Sequence, residues 1–205
     1  MPMRMLKFLG ISAALVPNLA FAHVTHSSAD GFSGGLLHTL TGLDHLAALW
    51  CLGALAALFA LAPQTTALTQ RTRTHWLWLP GLFVLGAIAG INLALQGLSI
   101  NPEPVIGFSV LFWGVLLVMR SRLSFAVQAV ASVLFAFFHG LAHGPVIDAV
   151  QAPGAFYAGL SLGIGLSFSA GFLATYYLTA ANARKLAGLV SLTGLGYFFA
   201  ASSFT

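Results

Sequence analysis

The chain has 205 residues, 59% of them hydrophobic and 6% charged, with a formal charge of +4. A soluble domain carries about 25% charged residues, so water is excluded as the main solvent. The basic residues fall in pairs between apolar blocks, not in one patch, which speaks against nucleic acid as a partner and fits membrane topology. A single cysteine, Cys51, excludes an intramolecular disulfide and any cysteine-built zinc or iron–sulfur site.

Residues 1–22 read as a secretory signal. Arg4 and Lys7 precede an apolar core over residues 6–19, broken by Pro17, and Ala20-Phe21-Ala22 forms an A-x-A cleavage site. The core is shorter than the roughly 20 residues a span needs. Cleavage leaves residues 23–205 with His23 as the new N-terminus. Six apolar segments follow, over residues 36–62, 76–98, 104–119, 125–142, 154–180 and 186–202. Their lengths and lack of alternation fit helices rather than barrel strands. The expected fold is an all-α membrane protein, a six-helix transmembrane bundle, with no soluble domain and no long repeat. Gly86-x-x-x-Gly90 and Gly159-x-x-x-Gly163 read as points of close helix packing.

Charge orients the bundle. Arg71 and Arg73, Arg120 and Arg122, and Arg184 and Lys185 occupy alternate loops, which assigns those loops to the cytoplasm. The protein then lies in the bacterial inner membrane with both termini periplasmic. Asp30, Glu103 and Asp148 fall in the outward loops.

Ionisable groups within lipid are costly and mark function by default. The first mature segment opens with His38-Thr-Leu-Thr-Gly42-Leu-Asp44-His45, and the fourth closes with His139-Gly-Leu-Ala-His143-Gly144. Under this topology both clusters lie in the outer half of the membrane. His23, His26 and Glu103 are on the same side, whereas His75 alone of the seven histidines is cytoplasmic. At about 100° per residue, His139 and His143 share a face about 6 Å apart along the axis, a chelating separation. His38 and His45 share a face about 10.5 Å apart, which suits successive stations better than one grip. Asp44 points about 100° from His45, unless Gly42 loosens the helix, or else orients an imidazole.

Imidazole with carboxylate suits nickel, cobalt, zinc or copper(II), and suits magnesium or calcium poorly. The free amine and imidazole of His23, with His26, form a capture device at the entrance, and Asp148 is a collector in the outer loop. Asn92 and Gln96 lie one turn apart in the second segment, more suited to helix-to-helix hydrogen bonding than to lining a path.

At these residues the chain resembles the HupE/UreJ family of nickel permeases. The family's H-x-x-x-G-x-D-H appears as His38 to His45, its H-G-x-A-H-G as His139 to Gly144, and a glutamate entering the third helix as Glu103. The resemblance implies a non-enzymatic permease for Ni²⁺, with Co²⁺ as alternative cargo, feeding hydrogenase or urease assembly and the nickel chaperones that serve it. His38, Asp44, His45, Glu103, His139 and His143 carry over as its metal residues. Members often have an acid soon after the second H-G, where this chain has Pro145 and no acid until Asp148.

Other readings are weaker. Gly31-Phe32-Ser33-Gly34-Gly35 matches serine-hydrolase patterns but lacks the strand–turn–helix setting they need. A haem-binding redox protein would want histidine pairs toward both faces. A metal sensor or store without transport fits the same ligands. No P-loop sequence occurs. A membrane potential of 100 mV supplies about 4.6 kcal/mol to an inward divalent ion, twice the single-charge value.

Overall fold

The computed structural model describes residues 31–61, 74–119, 124–148 and 152–177, with Lys185 and Gly188. The signal segment, His23, His26, the paired arginines and all of the sixth apolar segment but Gly188 lie outside the described residues. These comprise six helices and a 3-10 turn: α1 Gly31–Thr41, α2 Leu43–Ala60, the turn His75–Trp78, α3 Leu79–Leu95, α4 Glu103–Met119, α5 Phe125–Asp148 and α6 Pro153–Tyr177. Leu43–Ala60, His75–Leu95, Phe125–Gly144 and Pro153–Tyr177 are long and apolar enough to cross a bilayer, and α4 is shorter. The chain is therefore a multi-pass helical membrane protein.

The helices begin where local chemistry dictates. Proline stands at the start of α3 and of α6, where its missing N–H costs nothing. The Asn101 side-chain oxygen accepts the Glu103 N–H at 3.1 Å, an Asx turn that leads the chain into α4. One expectation is corrected: residues 36–62 are not one helix. The chain breaks at Gly42, whose φ of −67° and ψ of 107° are extended. Glycine is the poorest helix former after proline. Thr39 and Thr41 turn their hydroxyls back onto the Gly35 and Leu37 carbonyls just before the break, a bond that competes with regular helix.

Two parallel helix pairs form the bundle. A side chain added at Gly86, Gly90 or Gly144 of the second pair would collide with Val133, Phe137 and Ala94 respectively, so α3 and α5 run side by side in the same direction. In the first pair, Gly159, Gly163 and Gly171 of α6 meet Phe32, Thr39 and Trp50, so α6 runs parallel to α1 and α2. The second pair runs against the first, because Trp76, just before α3, stacks on Phe172 near the end of α6 at 4.2 Å. Helix α4 packs on α2 and α5. Leu49, Leu52, Phe83, Trp113, Leu160 and Ile164 fill the core between them.

The two glycine motifs are one motif used twice. P-G-x-F-x-x-G-x-x-x-G-I-x-L occupies residues 80–93 and again residues 153–166. Gly86 meets Val133 of α5 where Gly159 meets Phe32 of α1. His139 follows Val133 by the same number of residues as His38 follows Phe32. The expectation of no long repeat is thus corrected: α1–α3 and α5–α6 are related halves, inverted with respect to each other. The connection between α2 and α3 is longer than that between α5 and α6, so no fixed sequence period links them.

Candidate metal centre

The break at Gly42 builds the site. His38 closes α1, and Asp44 and His45 open α2, so the bend folds these side chains together. The His38 and His45 rings stand edge-on with centroids 5.0 Å apart. The expected separation into stations is corrected, because it assumed an unbroken helix. Gly42 is glycine for space, not for its φ: a Cβ there would lie 2.9 Å from the His38 carbonyl and 3.2 Å from both Asp44 Oδ1 and His45 Nδ1.

Helix α5 supplies the other half. His45 Nε2 lies 3.0 Å from His143 Nε2, and the His45 and His139 ring centroids are 4.7 Å apart. The His38 and His143 centroids are 4.3 Å apart. All five side chains are buried, His139 and His143 to 1% exposure. Their ligand atoms form two groups, His38–His45–His143 and Asp44–His45–His139, each within 4.8 Å. His139 and His143 are therefore not the joint chelating pair that their spacing suggested. Each takes its own side of His45, which is common to both groups.

A hydrogen bond sets the tautomer of His139. Its Nδ1 is 2.8 Å from the Phe135 carbonyl, which only accepts, so Nδ1 carries the proton and Nε2 carries the lone pair of the neutral ring. A ligating histidine is ordinarily held in this way, its second N–H on a carbonyl or carboxylate. His45 Nδ1 lies 2.9 Å from Asp44 Oδ2 as an ion-pair contact without hydrogen-bond geometry, so the carboxylate places negative charge beside the ring. One of the two Nε2 atoms of His45 and His143 donates to the other. An ion bound between them displaces that proton, coupling ligation to deprotonation. Two axial imidazoles of a haem face each other across the porphyrin, and 3.0 Å between His45 and His143 leaves no room for one.

The cluster lies level with the middle of α3 and α6. Gly140, next to His139, packs on Ala87 at the centre of α3, and Thr39, next to His38, packs on Gly163 in the middle stretch of α6. The fourth apolar segment, expected to end at residue 142, continues as α5 past Gly144 to Asp148, and α1 begins two turns before His38. Asp148 belongs to that helix end rather than to a loop.

The other candidates lie apart. Glu103 joins neither ligand group; it lines a cavity of about 460 Å³ whose wall includes Leu141, Ala142 and Gly144, flanking His143. His75 packs on Phe125 with ring centroids 5.1 Å apart. Asn92 donates to Ile88 of its own helix at 2.8 Å, and Asn92 and Gln96 are exposed, so neither joins helices as expected. Ser33 is exposed on α1. The apolar surroundings were not anticipated. Phe83 stands with its ring 5.9 Å from that of His139, and Leu49 and Leu52 are fully buried on the His45 face of α2. Helical spacing from His45 identifies the two leucines, but no local signal marks Phe83.

The HupE / UreJ protein family model matches residues 11–202. The chain belongs to the HupE/UreJ family. Within it, Protein HupE of Rhizobium leguminosarum bv. viciae is 28% identical over 166 residues, covering 77% of this chain and 80% of that protein. No solved structure matches.

Proposed function

We propose that this HupE/UreJ protein is an inner-membrane permease taking up Ni²⁺, with Co²⁺ as alternative cargo, from the periplasm toward hydrogenase or urease maturation and its nickel chaperones. The observation that carries this reading is the buried group around His45, formed where a broken helix meets α5. Buried ionisable groups at mid-bundle mark ion pathways, and discontinuous helices at a repeat interface are where secondary transporters bind. Imidazole nitrogens with a nearby carboxylate suit nickel, cobalt or zinc, and membership of the HupE/UreJ family favours nickel among them.

His38, His45 and His143 offer the ion one set of nitrogen ligands, and His45 with His139 and Asp44 offers a second, His45 being shared; Asp44 also balances charge. Glu103 attracts the ion from the cavity beside His143, and His23 and His26 concentrate it after signal cleavage between residues 22 and 23. The mature chain, residues 23–205, has six membrane helices with both termini periplasmic. The protein performs no chemistry on the ion; membrane potential drives uptake.

Competitive uptake of ⁶³Ni²⁺ against Co²⁺ and Zn²⁺, in cells lacking other importers, tests the reading. Nickel uptake inhibited by cobalt and weakly by zinc is expected. Metal binding by the purified protein with no counterflow in liposomes would make it a sensor or store instead.

A further inference from the structure

The inverted halves place the histidines on the axis that relates them. Exchanging α1 and α2 for α5, and α3 for α6, carries His38 onto His139, Gly86 onto Gly159 and Phe83 onto Phe156. The pair α1/α2 with α6 is thereby exchanged with the pair α5 with α3. Each pair is knit by backbone contact at glycines, where no side chain intervenes, and interiors packed this closely move as units. The ligands divide between the pairs: His38, Asp44 and His45 belong to one, His139 and His143 to the other.

The two ends of the bundle do not obey this symmetry. At one end Trp76 of the second pair lies flat on Phe172 of the first, with rings 4.2 Å apart and 18° from parallel. Phe168 continues the stack, 6.4 Å from Trp76 and 17° from parallel to it. The repeat carries Phe168 onto Leu95 and Phe172 onto Ser99 at the opposite end. There the equivalent positions line the cavity of about 460 Å³. Among the described residues, one end is thus bridged by stacked rings and the other lines an open cavity.

We propose that the two glycine-knit pairs rock against each other about the histidine cluster, and that Trp76 stacked on Phe172 is the gate closing one end. The proposal rests on the permease reading and adds its moving parts. The structure is the state open at the Glu103 end. Breaking the Trp76–Phe172 stack while the Leu95–Ser99 end closes produces the opposite state, and His45 keeps contact with α5 in both.

The test uses full-length protein in liposomes with Cys51→Ala as the parent. Trp76→Cys with Phe172→Cys, joined by a short reducible thiol cross-linker, ties the pairs together at the gate. Nickel binding should stay within about twofold, while counterflow falls at least tenfold and returns on reduction. Gly31→Cys with Ala155→Cys, whose Cβ atoms would stand 3.6 Å apart, within disulfide span, ties α1 to α6 within one pair, at the cost of the strain a side chain meets at the positive φ of Gly31. It should leave counterflow within about twofold. Full flux through the first tether refutes the gate, and arrested flux with binding intact in the second refutes the rigid pairs.

A second measurement needs no transport. Ser132 is fully buried on α5, about 10 Å along the axis from His139, toward the Trp76 end, where Phe125 meets His75. Trp76→Ala should speed labelling of Ser132→Cys by an impermeant maleimide at least tenfold. Equal labelling with Trp76 present removes the gate even if the protein proves not to be a permease. A parent that binds nickel without counterflow, yet shows this labelling difference, sinks the permease reading and keeps the gate.

Discussion

Replacing Gly42 by alanine tests whether the helix break positions the site. In an ordinary helix interior alanine would be favoured over glycine by about 1 kcal/mol, so helix propensity alone predicts a harmless change. Space predicts the opposite. The new methyl would lie 2.9 Å from a backbone oxygen, that of His38, and 3.2 Å from each atom flanking the Asp44–His45 contact. The carbonyl is fixed in α1, so the carboxylate and imidazole must give way, and the 2.9 Å ion-pair contact between them is lost or lengthened. Losing such an orienting partner costs about 10- to 100-fold in metal affinity, or about 1.4 to 2.7 kcal/mol. Gly165→Ala, with no atom within 4 Å of the added carbon, is the control. Initial rates of ⁶³Ni²⁺ uptake across a concentration series, on monodisperse protein in proteoliposomes, should show KM raised at least tenfold for Gly42→Ala and unchanged for Gly165→Ala. A wild-type KM for Gly42→Ala would mean that the bend does not set the ligand geometry.

His45→Ala removes the residue common to both ligand groups and should abolish uptake with membrane insertion intact, as should His139→Ala, whereas His75→Ala should retain more than half the rate; uptake and membrane fractionation in cells check all three. Free imidazole titrates near pH 6.5 and must be deprotonated to bind metal, so lowering external pH from 7.5 to 5.5, with internal pH and potential clamped, should raise KM; faster uptake would point instead to proton symport. Deleting residues 23–26 should reduce uptake at scarce nickel and leave the maximal rate nearly unchanged, and an equal loss at saturation would put those histidines in the pathway itself.

Segment length and apolar composition made the helices legible, with starts at Leu79, Glu103, Phe125 and Pro153 close to expectation. The members of the cluster were legible too, because each buried ionisable group needs a reason. Their grouping was not. Periodicity treats residues 36–62 as one rod, and a rod holds His38 and His45 two turns apart; only the bend at Gly42 brings the rings to 5.0 Å. The apolar run ends the fourth segment at residue 142, because His143 and Pro145 interrupt it, yet α5 continues to Asp148. Phe83 is in place because α3 lies against α5, a non-local packing that no local pattern reports. The repeat was visible as residues but hidden as a period, since the connections within its two halves differ in length.

Helix α4 abuts both α2 and α5, so one element leans on a helix from each half of the bundle. Those are the helices that carry the histidines: His45 lies on α2, and His139 and His143 on α5. A sideways push on α4 is therefore felt by both sets of ligands at once. Because lipid presses on transmembrane helices in proportion to how well it matches them, bilayer composition becomes a mechanical variable of the ligand cluster itself.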